Sequence, residues 1–431
     1  MPALEAALAW LDDHVDYEAI ASGRHPVPSL GRMQELCALM GDPQHTAPVV
    51  HVTGTNGKGS TVRMVTALLA ASGLSVGTYT SPDLERVNER LSRNGEPISD
   101  DELAEVLVGI AALEASSGVR PTRFEALTLA AFRWFADLPV DAVVLEVGMA
   151  GRHDATNVAD GVVAVVTNVG LDHTAVLGPT RRHIAAEKAG IVKPVSTLVL
   201  GETDPELVPF FTEEGPARTW LRDEDFGCTA NRLAVGGRAV DLRTPEAAYD
   251  EVFLPLHGAH QGDNAACAVA AAEAFFERPL EEELLRSALE DVAVPGRFEV
   301  VRRNPLVVLD GAHNPDGARA AAATLDDIAV SGERILVVGM NRDRDAVELL
   351  EALEAGRALR VVATAAPWVR AMPAEQVAAA AASLGVEAVA VPDIDEAVAS
   401  AVADAGPGDV VLVAGSLHVV GAARKALVRG G

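Results

Sequence analysis

Aromatic residues make up only 4% of the 431-residue chain. A core built on large rings is excluded, and Ala, Val and Leu must do the packing. Cysteine is nearly absent: Cys37, Cys228 and Cys267 lie far apart, with no C-x-x-C pair. That excludes a disulfide framework, and the three read as buried thiols of a reducing, cytoplasmic compartment. Basic residues are outnumbered, 35 Lys and Arg against 62 Asp and Glu, for a net charge of −27. Such a surface repels nucleic acid and anionic membrane. Any anionic ligand must therefore be met by a local cluster of donors. No apolar run reaches the roughly 18 residues needed to span a bilayer. The opening stretch MPALEAALAWLDDHVDYEA is acidic and amphipathic, and predicts a helix to about Tyr17 rather than a secretory leader. Short repeats and low-complexity tracts are missing too.

What is present is ample core: 49% of the residues are AVILMFWYC, in a length that suggests two or three domains. A Pro/Gly-rich loop runs from Ala21 to Pro28. Then SLGRMQELCALMG puts Leu30, Met33, Leu36, Cys37 and Met40 at helical period and stops at Gly41. A strand over 48–53, a glycine loop, a helix over 60–72 and the strand SVGTYT follow. Residues 81–98, rich in Pro, Asn, Gly and charge, predict a long loop. Helices are expected near 99–117 and 123–137, and buried-type strands at 142–147 and 162–169. Short strands with turns are expected over 218–257, then helices near 261–277 and 281–291. After Pro295-Gly296 the pattern resets. LVVLDGAHN, RILVVGMN, RVVATA, VEAVAVPD and DVVLVAGS are five buried-type strands alternating with Ala-rich helices, a doubly wound α/β unit. The chain therefore divides into domains 1–295 and 296–431.

The stretch PVVHVTGTNGKGSTVRMV (48–65) carries the strongest chemical signal. Gly54, Thr55, Asn56, Gly57, Lys58, Gly59, Ser60 and Thr61 lie between a strand and a helix, the setting of a phosphate cradle. The spacing departs from G-x-x-x-x-G-K-[ST]. Glycines let backbone N–H groups turn toward phosphate oxygens, Lys58 can reach the terminal phosphates, and Ser60 can ligate Mg²⁺. Glu146 ends an apolar strand, where a carboxylate is costly without a metal ion or a partner such as Arg152. His173 follows another apolar strand. Alone, such a histidine is more often a packing or capping residue than a ligand, and imidazole is an unusual Mg²⁺ ligand. By itself Lys188, in HIAAEKAGIVK, is a solvated helical lysine beside Glu187. In the second domain Asp310, His313 and Asn314 stand at a strand end before a helix, a ligand-binding position in an open sheet. Gln261 and Asn264 lie on a helix, and Arg297 in PGRFE can clamp phosphate.

Ten ordered motifs link these residues: HVTGTNGKGST, YTSPDL with ERVNER, FEALTLAAF, LEVGMAGRHDATN, LDHTAVLG, EKAGIVK, HQ-x-x-N, PGRFE, DGAHNP and VAGSLHVVG. Together, from about residue 28 to 425, they resemble the Mur ligase superfamily, and within it the folylpolyglutamate synthase/dihydrofolate synthase family. The resemblance implies a P-loop Mg·ATPase domain followed by a smaller Rossmann-like domain, with the site between them. It implies a cytoplasmic, monomeric enzyme that uses ATP to join a pteroate or reduced folate carboxylate to L-glutamate. By motif, Ser60, Ser81, Glu146 and His173 become the Mg²⁺ ligands and Lys188 a carbamate-bearing lysine. Asn264, Arg297, Asp310 and His313 become nucleotide-binding residues, and Asp83, Phe124, Arg152 and Asp154 lie toward the folate. Arg90, Arg152 and Arg181 are candidates to meet the anionic substrates. Three positions depart from the family pattern: Asp83 where histidine is usual, Ala150 in GMAGR, and Arg344 for lysine in GMNRDRD. Two rival readings stand: another Mur-type amide ligase, and a P-loop regulatory ATPase.

Overall fold

The strand Val49–Thr53 is buried at every position, so it needs no polar alternation. It pairs in parallel with Ala142–Glu146 on one side and Gly161–Val166 on the other. The computed structural model describes residues 2–16, 30–328 and 332–429, and these three strands lie at the middle of its largest sheet. The order across that eight-stranded sheet is Glu96–Pro97, Leu91–Arg93, Val76–Tyr79, Ala142–Glu146, Val49–Thr53, Gly161–Val166, Thr197–Leu200 and Arg218–Leu221. The first two strands run antiparallel as a hairpin. This hairpin corrects the expected long loop over 81–98. Its strands have three and two residues, too short to show a period. Tyr17 and the loop Ala21–Pro28 lie outside the described residues, and the first helix is Pro2–Asp12.

Helix Lys58–Ala71 buries Val62, Met64, Val65, Leu68 and Leu69 against the sheet and against helix His260–Phe276. Burying each large aliphatic side chain contributes roughly 1.5–3 kcal/mol. The partner helix buries Ala265, Ala266, Ala268, Ala270, Ala271 and Ala272, which lets the two backbones approach closely. On the other face, helix Arg123–Asp137 starts at a capping box between Thr122 and Glu125 and packs Phe132 and Phe135 inward. A three-stranded antiparallel sheet, Gly227–Ala234, Gly237–Arg243 and Ala248–Leu254, follows the eight-stranded one. Cys37 and Cys267 are buried as expected, but Cys228, in this small sheet, is only half-buried.

The six-stranded sheet runs Glu299–Arg303, Leu306–Asp310, Val410–Ala414, Arg334–Val338, Arg360–Ala363, Glu387–Ala390. The last five strands are parallel and are the five expected. The antiparallel edge strand Glu299–Arg303 was not anticipated; EVVRR is half-exposed and lacks a continuous apolar run. This six-stranded unit has its own cores on both faces. Leu84, from the loop after Val76–Tyr79, packs into one of them beside Val420. Next to it Glu85 pairs with Arg424 at 2.6 Å, and Arg424 also holds Glu299 at 3.0 Å.

Candidate active site

The register of the central strands sets the geometry. Val52 lies opposite Glu146, and Thr53 opposite Val166. Glu146, the glycine loop and the turn after Val166 therefore emerge together at one sheet edge. Gly54 and Gly57 have φ of +154° and +83°. A Cβ at Gly54 would stand 1.8 Å from Thr167 Oγ1, and one at Gly57 2.2 Å from Asn264 Oδ1. Only glycine fits this tight path. The N–H groups of Thr55 and Asn56 bond the Asn168 carbonyl and side chain at 3.1 and 3.0 Å, so the donors open to an anion are those of the first turn of helix Lys58–Ala71. Lys58 bends back onto the carbonyls of Gly54 and Thr55, at 3.2 and 3.4 Å.

A cavity of about 300 Å³ opens over this edge and reaches the six-stranded unit. Gly54 through Ser60, Ser81, Glu146, His173, Lys188, Asn264, Arg297, Asp310 and His313 all line it. Thr61 is buried below, its hydroxyl without a partner. Glu146 is 4% exposed, and its Oε2 accepts the Ser81 N–H at 3.3 Å. Burial raises its pKa, against the pull of Lys58, Arg297 and Arg63. Among the described residues no side chain bonds this carboxylate, so Arg152 is not its partner. A buried carboxylate that lines one cavity with Ser60 and Ser81 fits a hard cation, which takes oxygen ligands. Among the described residues no three His, Cys, Asp or Glu converge as a metal site by themselves. His173 has φ +50° and keeps its side chain 38% exposed; crowding in the cleft, with Arg344 and His313 nearby, lowers its imidazole pKa. That direction favours the neutral imidazole, which has a lone pair to offer.

Lys188 is not solvated. It is 4% exposed and donates to the Gly54 carbonyl at 2.8 Å. Burial, reinforced by Lys58, lowers its pKa to about 7. Asp310 accepts the N–H groups of Phe298 and Ala312 at 2.9 and 2.8 Å, which fixes the turn presenting Arg297 and His313. Asn264 donates to Gln261 at 3.0 Å.

Other expected residues stand elsewhere. Arg152 pairs with Glu214, and Arg181 with Glu202 and Asp204 at 3.0 and 2.7 Å. Neither guanidinium lines the cavity. Asp154 is buried and accepts from the Met149 and Thr156 N–H groups, pinning the loop behind Glu146. Phe124 sits behind Gly148, where a Cβ would meet its ring at 2.4 Å. Asp83 pairs with Arg90 at 2.5 Å, and Arg90's side chain is 3% exposed. Burial pushes the Asp83 carboxyl up, but Arg90 outweighs it and holds the pKa below its usual value. Ala150 adopts φ +69°, a left-handed conformation that costs a side-chain-bearing residue about 1 kcal/mol.

The site lies between the two units as expected, but sequence reasoning missed Asp172 and the side-chain pairings that join them there. Asp172 is 7% exposed and accepts from His313 Nε2 at 3.3 Å, Asn314 Nδ2 at 3.1 Å and Arg344 Nη1 at 2.6 Å. Burial alone would raise its pKa, yet His313, His173 and Arg344 hold it well below the usual carboxylate range. Asn314 caps helix Pro315–Asp327 and exchanges amide hydrogen bonds with Asn56 of the glycine loop, at 3.0 and 3.3 Å. The only signal in the sequence was an acid directly before the candidate histidine.

Comparison with known proteins agrees with this geometry. Residues 52–272 match the Mur ligase middle domain, and residues 296–417 the Mur ligase glutamate ligase domain. The dihydrofolate synthase/folylpolyglutamate synthase of Mycobacterium tuberculosis is 39% identical over 351 residues, 76% of this chain and 72% of that protein. A probable bifunctional folylpolyglutamate synthase/dihydropteroate synthase of Haloferax volcanii is 38% identical over 93% of this chain; the match spans 49% of that longer protein. Among solved structures, E. coli FolC in complex with DHPP and ADP superimposes with a TM-score of 0.88 at 31% identity, covering 99% of this chain and 98% of that one. A bifunctional folylpolyglutamate synthase/dihydrofolate synthase with Mn, AMPPNP and L-glutamate bound gives 0.85 at 33% identity, covering 98% of both chains.

Proposed function

The chain belongs to the Mur ligase family, in its folylpolyglutamate synthase/dihydrofolate synthase branch, and on that premise we propose how it works. It is an ATP-dependent ligase that joins the carboxylate of a pteroate or folate to the amine of L-glutamate. One observation carries the reading. The glycine loop and Glu146 face Arg297, Asp310 and His313 across a single cavity shared by the two units. We read residues 1–295 as the ATPase domain and 296–431 as the glutamate ligase domain.

A carboxylate is a poor electrophile, because oxide would have to leave. Transfer of the ATP γ-phosphoryl group makes an acyl phosphate, the glutamate amine attacks it, and phosphate departs. The N–H groups of the first turn of helix Lys58–Ala71 and the Lys58 ammonium would hold the phosphates and offset the charge that moves. A divalent cation, held by Ser60, Ser81, Glu146 and His173, would supply Lewis-acid stabilisation of that charge. Lys188, half unprotonated near neutrality, is suited to take up CO₂ as a carbamate with release of a proton, which replaces a cation beside the phosphates with an anion. Closure of the two units would keep water from the acyl phosphate.

The relative from Haloferax, by its name, joins this activity to dihydropteroate synthase, whose product is an acid of the kind a dihydrofolate synthase consumes. That favours dihydropteroate as an acceptor here, with folate extension as a second activity of the same cleft. The test is product mass, with dihydropteroate or tetrahydrofolate offered alongside glutamate and ATP. A glutamyl adduct formed with one phosphate released per amide is expected. Phosphate release that needs neither acid nor glutamate would overturn the ligase reading in favour of a regulatory ATPase.

A further inference from the structure

We propose that Asp172 is a positioning residue: its carboxylate docks the six-stranded unit onto the loop that carries His173, and so sets the cleft for turnover. The inference rests on the ligase reading above. Both carboxylate oxygens are fully engaged. Oδ1 takes the Arg344 guanidinium at 2.6 Å and the backbone N–H of His173 at 2.7 Å. Oδ2 takes His313 and Asn314 at 3.3 and 3.1 Å. Three of these four donors come from the opposite unit. The fourth is the backbone of His173 itself, held at φ +50°. Docking and the placement of His173 thus share one pair of oxygen atoms.

The second link runs through Asn314. Its amide meets Asp172 and Asn56 together, so the phosphate loop is tied to the same contact. Gly170, two residues before Asp172, closes the same seam, because a Cβ there would lie 2.7 Å from Asp316 Oδ2. Arg344 depends on Asp172 in turn. Its side chain is 16% exposed, and its Nε is buried without a partner. Among the described ion pairs Asp172 is the carboxylate that compensates that burial. Undocking would therefore release the loop bearing His173, the phosphate loop and the Arg344 arm together.

The experiment measures amide and phosphate in the same reaction for Asp172→Asn, Arg344→Gln, Arg344→Lys and the double variant Asp172→Asn/Arg344→Gln, each across a Mg²⁺ titration. Asp172→Asn should lower kcat by about 10²-fold, the scale of a small misplacement of reacting groups. Phosphate released should exceed amide formed several-fold, since an undocked cleft lets water take the acyl phosphate. The Mg²⁺ concentration for half-maximal rate should rise several-fold, because the loop that undocks carries His173. Arg344→Gln should shift the same ratio less, and Arg344→Lys should keep it near one. The double variant should be no worse than Asp172→Asn alone, the sign of a shared interaction. One amide per phosphate at undiminished kcat in Asp172→Asn overturns the proposal. So do losses that multiply in the double variant, or an Mg²⁺ requirement left unchanged in Asp172→Asn. If Asp172→Asn does not fold, the Arg344 pair decides: equal phosphate-to-amide ratios in Gln and Lys overturn it. Absence of amide from the unaltered protein would count against the ligase reading instead.

Discussion

Glu146 sits where burial and function oppose each other. Its carboxylate is desolvated with one backbone N–H as partner, so in the absence of cation it weakens the fold. Glu146→Gln keeps the shape and removes the charge. Turnover at saturating Mg²⁺ should fall by roughly 10²-fold or more, while the urea midpoint measured without metal stays level or rises. Near-normal turnover would remove Glu146 from the cation site. Lys188 poses the same conflict with the opposite charge. Its folded pKa is about 7, against about 10.4 for a free lysine. Between those values the unfolded chain holds a proton that the folded chain has shed, so stability rises with pH. Below pH 7 the cost is present in full. In CO₂-free buffer, Lys188→Met should therefore stabilise the protein most at pH 6 and progressively less toward pH 10, as read from urea midpoints. If the carbamate is the working form, Lys188→Arg should be inactive, and added formate should partly rescue Lys188→Ala. An active Lys188→Arg would refute it.

At the scale of elements, the segment from Ser81 to Pro97 departs most from what the sequence led one to expect. It is a short 3₁₀ turn, Val87–Arg90, followed by a hairpin, and it connects the cleft to the six-stranded unit through Leu84 and Glu85. Asp83 serves this element by pairing with Arg90 and does not line the cavity. Asp83→Ala should thus lower the urea midpoint, because it removes one carboxylate from a buried guanidinium, a loss of up to about 3 kcal/mol, with nucleotide affinity unchanged. Because the Asp83 pKa is lowered, this contribution is present above about pH 4 and is lost as pH falls through the folded value. An unchanged midpoint would make the pair dispensable. The parallel strands were legible because strands covered on both faces are continuous apolar runs. The glycine loop was legible because few contexts require Gly54 and Gly57 so close together. Pairings across the chain were not. Asp172 meets Arg344 at a separation of 172 residues, and no spacing encodes that. Nor does sequence tell a free arginine from one already paired, which is why Arg152 and Arg181 were expected in the cleft and are held by Glu214, Glu202 and Asp204 instead.

For the whole molecule, charge decides the response to salt. A net charge of −27 repels itself at low ionic strength. Opposing this are many exposed ion pairs, each worth about 0–1 kcal/mol and equally weakened by screening. The imbalance is the larger effect, so raising salt from about 0.01 M to about 0.15 M, where the Debye length contracts from roughly 30 to 8 Å, should raise the Tm by a few degrees. A Tm that falls would mean the pairs dominate. The positive charge itself is unevenly divided. The lysines of the chain are Lys58, Lys188, Lys193 and Lys425, the remaining cations being arginine. Lys188 is buried, Lys58 and Lys193 are half-buried, and only Lys425, on the last helix, is exposed. To an amine-directed reagent the outer surface is therefore nearly blank. Among the lysines, an ester dye or a coupling bead will find Lys425 first and leave the cleft untouched. Any slower labelling of Lys58 or Lys188 becomes a clock for how often the two units part.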